Sequence, residues 1–251
     1  MNPCKISAVS YLNTIPFVYG ILSSGALDNF NLSIDIPSLC AEKLRKGVVD
    51  IALVPAGAIP EMRDADILPG YCIGAIRKVR TVLLLSRKPL NEIQTIHLDF
   101  DSRTSVKLIK VLANKFWHIK PSWVNLDRGQ AEHTGSIDSL VAIGDKTFGL
   151  VNDFPYVYDL AEEWIRYTLT PFVFAVWMAR KTVPEEVIKK LNAALNFGIT
   201  HRQDAIAEFQ SKIPAGIDAL EYLTKNISFE LDNPKQEGLG LFLSYLQEMN
   251  L

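Results

Sequence analysis

Three segments of the chain set small polar residues between an apolar run and a helical pattern. Val9-Ser10-Tyr11-Leu12-Asn13-Thr14 leads to Pro16 and an apolar stretch. His97-Leu98-Asp99-Phe100-Asp101-Ser102-Arg103-Thr104-Ser105 leads into a helical pattern at Val106, and Ala142-Ile143-Gly144-Asp145-Lys146-Thr147 follows a third apolar run. In a parallel α/β sheet such turns lie at the carboxyl ends of strands, where ligands usually bind. A helix N-terminus there presents unpaired backbone N–H groups and partial positive charge, a setting suited to a carboxylate. Three such turns around one crevice would hold a small anion carrying several oxygens. Other chemistries lack their spacings, for no G-x-S-x-G, G-x-G-x-x-G or Walker sequence occurs. Cys4, Cys40 and Cys72 are widely spaced with no C-x-x-C pair, which fits reduced, buried thiols better than a disulfide framework or zinc site. His97, His118, His133 and His201 are isolated in sequence, so a metal site is disfavoured.

Each polar residue also has a plain structural role to weigh. Ser, Thr, Asn and Asp ahead of a helix are most often N-caps, and Thr14 and Ser102 read first as caps. Arg103 suits a structural ion pair as well as a ligand contact, and Asp145 after a glycine suits a turn as well as a site. His97 sits in a strand pattern and reads as a hydrogen-bonded core residue. Trp164, Trp177, Phe172 and Phe174 read as core, since aromatics dominate buried area.

The elements that must position these residues alternate between strand and helix. Strands are expected at Lys5–Ser10, Asp50–Val54, Thr81–Ser86, Thr95–Leu98, Leu140–Ile143 and Phe172–Met178, several of them apolar on both faces as in sheets covered on both sides. From Ser105 to Trp117, Leu108, Ile109, Leu112 and Phe116 make one apolar stripe. A second helix begins near Thr182 with Pro184 in its first turn and Gly198 capping or following its end, and a third covers Leu239–Leu246. This alternation means an α/β architecture. The best local candidate for a crossing between domains is Arg87-Lys88-Pro89-Leu90-Asn91.

The 251 residues are 48% hydrophobic and 22% charged, enough for a sizeable core and inside the range of globular proteins. With 26 basic against 28 acidic residues, no polyanion-binding surface is indicated and nucleic acid is not an expected partner. No run approaches the roughly 20 apolar residues of a membrane span, and the first residues lack a secretory pattern, so a cytoplasmic protein without a membrane partner is expected. Nothing signals an oligomeric state. Composition and spacing thus lead to a soluble α/β protein fitted to bind a small anion.

Taken in order, Val9-Ser10-Tyr11-Leu12-Asn13-Thr14, Val49-Asp50-Ile51-Ala52-Leu53-Val54-Pro55, Leu98-Asp99 with Ser102-Arg103-Thr104-Ser105, Ile143-Gly144-Asp145, Asp159-Leu160 with Trp164, and Pro171-Phe172-Val173-Phe174-Ala175-Val176-Trp177 form a specific combination. The series resembles the chorismate dehydratases of the futalosine route to menaquinone, over about residues 5 to 200. The resemblance implies a type II periplasmic-binding-protein fold, two α/β lobes joined by two crossings with a cleft between. On that template the first lobe comprises 1–88 and 175–251 and the second 89–174. The implied reaction is loss of water from chorismate to give 3-[(1-carboxyvinyl)oxy]benzoate, with no metal or organic cofactor.

The family's leading catalytic positions carry over to Asn13 and Thr81, with the substrate's own enolpyruvyl carboxylate taking the ring proton. Ser102, Arg103, Thr104 and Ser105 would grip a carboxylate, and Tyr11, Gly144 and Asp145 would line the cleft. Asp145 fits beside an anion only by bonding a substrate hydroxyl or organising other donors. Three departures stand out: Thr81 where the family usually has Ser, Ala56 where Ser is common after Pro, and Leu169-Thr170 in place of the usual Gly-Leu before Pro171. Two alternatives share the fold. One is the sister enzyme that releases 1,4-dihydroxy-6-naphthoate later in the route, a class associated with a catalytic His. The other is a solute-binding protein without catalysis.

Overall fold

Strands with no polar face need cover on both sides, and this chain supplies it by returning a helix after most strands. The structure, a computed structural model, describes residues 3–99, 103–126, 135 and 137–251. The chain opens with β1 (Cys4–Val9), α1 (Ile15–Ser23), β2 (Phe30–Asp35), α2 (Pro37–Arg45), β3 (Ile51–Pro55) and β4 (Ala65–Ala75). It continues through β5 (Val82–Ser86), β6 (Thr95–Leu98), α3 (Arg103–Lys115), β7 (Ser122–Asn125), β8 (Ser139–Ile143), α4 (Thr147–Leu150), β9 (Tyr156–Asp159) and α5 (Leu160–Thr168). It closes with β10 (Phe172–Arg180), α6 (Glu185–Thr200), α7 (Arg202–Glu208), α8 (Ala219–Glu221), β11 (Ser228–Glu230) and α9 (Asn233–Glu248). One sheet runs β11-β4-β10-β3-β1-β2, the other β7-β6-β8-β5-β9. Each is the centre of one α/β lobe.

The sheets are mixed, and the mixing follows from the crossings. β1 lies parallel to β2 and β3, and β6 parallel to β7 and β8. β10 is antiparallel to both β3 and β4, and β5 antiparallel to both β8 and β9. A strand arriving from the other lobe enters its sheet from the cleft and must run against strands that end there. The carboxyl ends of β1, β3, β4, β6, β8 and β9, with the starts of β5 and β10, therefore face one cleft.

Strand pairing corrects the lobe boundary. Val82–Ser86, assigned by the template to the first lobe, pairs in the second sheet. The outward crossing thus falls at residues 76–81, and Arg87–Asn91 is a loop inside the second lobe. An apolar strand ending in charge and proline looks the same whether the next residues cross or merely turn, and only the pairing partner separates the cases. The return crossing runs through α5 into β10.

Trp164, Trp177 and Phe172 are fully buried, and Phe174 nearly so. Phe172 packs edge-on to Phe174 with centroids 4.7 Å apart. Gly198 is no cap: α6 continues to Thr200, and a Cβ at Gly198 would lie 1.8 Å from the Pro16 carbonyl oxygen, while one at Gly20 would lie 2.0 Å from that of Ala194. The glycines let α1 and α6 approach backbone to backbone. At the end of α5, Leu169 occupies a left-handed cap with φ 61° and is 87% exposed. A glycine would suit that conformation, so the leucine carries the strain without burying its side chain.

Candidate active site

The first wall of the cleft grows from the end of β1. Ser10 N–H donates to Asp35 O at 3.0 Å, and the chain turns through a single 3₁₀ turn, Leu12–Thr14, into α1. Thr14 makes no side-chain cap, contrary to expectation. Its hydroxyl instead donates back to Val9 O (2.5 Å) and Tyr11 O (2.7 Å), tying the turn shut. A preceding turn that already ends in a carbonyl cluster offers the hydroxyl better acceptors than α1 offers donors. Asn13 lines the cleft, and its carboxamide makes no hydrogen bond to any described residue.

The second wall is the outward crossing. Arg80 holds φ at 66°, a strained value for a side-chain-bearing residue, and its surroundings over-determine it. Arg80 N–H donates to Asp159 Oδ2 at 2.7 Å, Thr147 Oγ1 donates to Arg80 O at 3.2 Å, and Gly144 N–H donates to Thr81 O at 2.9 Å. Thr81, 1% exposed, lines the cleft with its hydroxyl 2.8 Å from that of Tyr222. Asp159 also caps α5 by accepting from Ala161 and Glu162 N–H. Burial, the largest influence on its carboxyl, holds its pKa above the ordinary range against the backbone donors Arg80, Val79, Glu162 and Ala161.

The first turn of α3 forms the third side. Thr104 and Ser105 line the cleft. Thr104 Oγ1 accepts from Gly57 N–H (3.0 Å) and donates to Phe174 O (3.1 Å), so this hydroxyl ties the lobes together beside the return crossing. Arg103 behaves otherwise than the resemblance implies: its guanidinium is turned to Glu61, 2.7 Å away, on the outer face. The guanidinium is not part of the cleft lining. Ser102 lies outside the described residues.

The fourth contact joins the lobes directly. Gly144, at φ 70°, carries the Tyr11 ring so closely that a Cβ would meet it at 2.8 Å. Both oxygens of Asp145 accept from Leu12 N–H, at 3.1 and 3.2 Å. Asp145 thus organises a donor, and it lines a hollow beside the main cleft with Ser10 and Lys212. Burial pushes its carboxyl up to about 6 against the opposing Leu12 N–H.

The main cleft is a small, half-open hollow with a cavity volume of about 60 Å³. It brings together Tyr11, Asn13, Thr81, Thr104, Ser105 and Gly144 over an apolar floor that includes Leu53, Pro55, Ile73 and Phe174. No charged side chain lines it among the described residues. An anion held here meets hydroxyls, a carboxamide and a helix N-terminus in a low-dielectric setting, where fixed dipoles act strongly. None of the histidines among the described residues lines it; His97 Nδ1 bonds Ser139 O at 3.1 Å, so the ring is hydrogen-bonded as expected, but it is half-buried rather than part of the core. Among the described residues no cluster of His, Cys, Asp and Glu is placed to hold a metal, and no helix is long and apolar enough to cross a membrane. All three cysteines are free, Cys40 and Cys72 buried and Cys4 partly so.

Sequence reasoning missed Tyr222, which stands in no motif and 141 positions from the residue it bonds. Asp159 and Thr147 were within reach: Asp159 opens an Asp-x-x-Glu pattern ahead of an apolar helix face, a capping signature.

The chain is 23% identical, over a 266-residue alignment covering 98% of it and 96% of the relative, to a protein of Thermus thermophilus named chorismate dehydratase. Among solved structures, a protein of Archaeoglobus fulgidus superimposes with a TM-score of 0.77 at 14% identity, covering 98% of this chain and 97% of that one. The alkanesulfonate-binding protein of Xanthomonas axonopodis, solved with MOPS bound, gives 0.68 at 15% identity with 100% and 95% covered. These likenesses agree with the two-lobed periplasmic-binding-protein architecture seen here. The family described by menaquinone biosynthesis matches residues 4–248, and to that family the chain belongs.

Proposed function

We propose that this cleft dehydrates chorismate to 3-[(1-carboxyvinyl)oxy]benzoate. The observation that carries the reading is the meeting of Asn13 and Thr81 in one interlobe cleft whose polar lining, among the described residues, is neutral. The named relative from Thermus supports it across nearly the whole chain. The reaction removes the hydroxyl from one ring carbon and the proton from its neighbour, which bears the enolpyruvyl ether. The two electrons of the broken C–H bond complete a benzene ring, and hydroxide leaves as water once protonated.

Because aromatisation supplies the driving force, the protein's task is orientation and charge stabilisation. The first turn of α3, with Ser105 and the backbone of Arg103 and Thr104, receives one carboxylate, joined by Ser102. Asn13 donates its carboxamide N–H to charge that builds as the substrate's own enolpyruvyl carboxylate takes the ring proton. Thr81 donates to the departing hydroxyl or holds that carboxylate. Tyr11, seated on Gly144, closes the cleft against water. Cofactor-independent lyase chemistry and a cytoplasmic location complete the reading.

The test is mass spectrometry of small molecules after incubating the folded protein with chorismate. A product lighter by one water and absorbing as a benzoate is expected. Intact chorismate beside bound ligand would instead favour a solute-binding role, and release of a naphthoate from a cyclic futalosine derivative would favour the sister enzyme.

A further inference from the structure

We propose that Tyr222 is a positioning residue for this reaction: its phenol donates to Thr81 Oγ1 and so frees the Thr81 proton for the substrate. The inference rests on the reading of Thr81 as the hydroxyl that acts in the cleft.

Tyr222 is completely buried at the head of a single π-helical turn, Tyr222–Asn226, that follows α8. Such turns are frequent at functional sites. Its hydroxyl lies 2.8 Å from Thr81 Oγ1, and either atom satisfies the geometry of a donor. The hydrogen-bond inventory decides between them. Among the described residues the Tyr222 hydroxyl has no other partner, whereas Thr81 Oγ1 also lies 3.5 Å from Val79 O. If Thr81 donated, the phenol proton would be buried with no acceptor, which is the costly arrangement. If Tyr222 donates, every group is served. The Thr81 proton is then held only by a contact at the limit of hydrogen-bond length, and a substrate oxygen in the cleft can take it over.

The surroundings keep the phenol protonated and in place. Burial raises its pKa far above the working range; the Thr81 hydrogen bond and Arg80 act against this, and Asp145 and Asp159 in the same direction. Phe148, from the other lobe, packs edge-on to the ring with centroids 5.5 Å apart. The Thr81 backbone is already pinned through Gly144, so the phenol fixes the one freedom that remains, the direction of the hydroxyl.

The experiment is a double-mutant cycle of Thr81→Val and Tyr222→Phe, read by chorismate turnover and by thermal melting. Tyr222→Phe should lower kcat about tenfold, the worth of one such hydrogen bond, with KM unchanged. The double variant should be no slower than Thr81→Val alone, since the phenol acts only through that hydroxyl. In melting, Thr81→Val alone strands the buried phenol proton, so adding Tyr222→Phe should raise its midpoint. A Tyr222→Phe variant with wild-type kcat, a double variant slowed by the product of the two single effects, or a double variant melting below Thr81→Val would overturn the inference while leaving the proposed reaction standing. Wild-type protein that leaves chorismate intact would overturn both.

Discussion

Substituting Gly144 by alanine tests whether the lobes meet as described. The residue sits at φ 70°, where an L side chain costs about 1–2 kcal/mol. The new Cβ would meet three atoms of the Tyr11 ring at 2.8, 2.9 and 3.0 Å. The backbone cannot retreat, because Gly144 N–H is tied to Thr81 O and Gly144 O to Thr147 Oγ1. Two effects should therefore separate. Backbone strain is present whether the cleft is open or closed and should lower the melting temperature by roughly 2–8 °C in a domain of this size. Overpacking against Tyr11 acts on the closed form, and about 1–3 kcal/mol there raises KM roughly 5- to 150-fold. Gly149→Ala in α4 is the control, since a Cβ there meets nothing within 4 Å. The assays are thermal denaturation and steady-state turnover of chorismate. If Gly144→Ala matches Gly149→Ala in both, Tyr11 does not seat on Gly144 and the interlobe contact is wrong.

Three further outcomes follow from the same geometry. Asn13→Ala should cut kcat by roughly 10²–10³-fold, as for loss of a donor to developing charge, with an unchanged melting point because the carboxamide bonds no described residue. Asp145 binds its proton more tightly folded than unfolded, its carboxyl rising from 3.8 to about 6, so this group's contribution to stability is full below about 3.8 and is lost as pH rises through about 6. Asp145→Asn, which keeps an acceptor for Leu12 N–H, should accordingly melt above wild type at neutral pH and lose that advantage near pH 4; a gap of the same size at both would refute the assignment, Lys212 being the charged neighbour in the same hollow. Leu169→Gly should raise stability by about 1 kcal/mol by relieving the left-handed cap, read as a higher melting temperature at unaltered turnover.

Much of the fold was legible because burial imposes period and composition locally. Thr95–Leu98, an alternating segment, is found at its expected bounds, and β3, β8 and β10 lie within two residues of theirs, each marked by an apolar run. β4 escaped notice, its eleven residues broken by Pro69 and Gly70 and half exposed along their first part. β2 and β7 also escaped, as edge strands with mixed faces. The polar turns of the cleft stood out because small polar residues between strand and helix are a local pattern. For Arg103 the sequence left an ion pair and a ligand contact both open, and the pairing with Glu61, distant in sequence, is the one the fold provides.

The sequence by itself determined which turns could face an anion, because strand, turn and helix N-terminus are written in neighbouring residues, and motif order then indicated the family. Tertiary structure decided where the chain crosses between lobes, which partner each hydroxyl takes, and that Asp145 serves a backbone amide. Those outcomes depend on atoms brought together from positions far apart in the chain. Arg80 and Tyr222 act on Thr81 from opposite sides, one covalently and one across 141 residues, and no local pattern encodes their meeting.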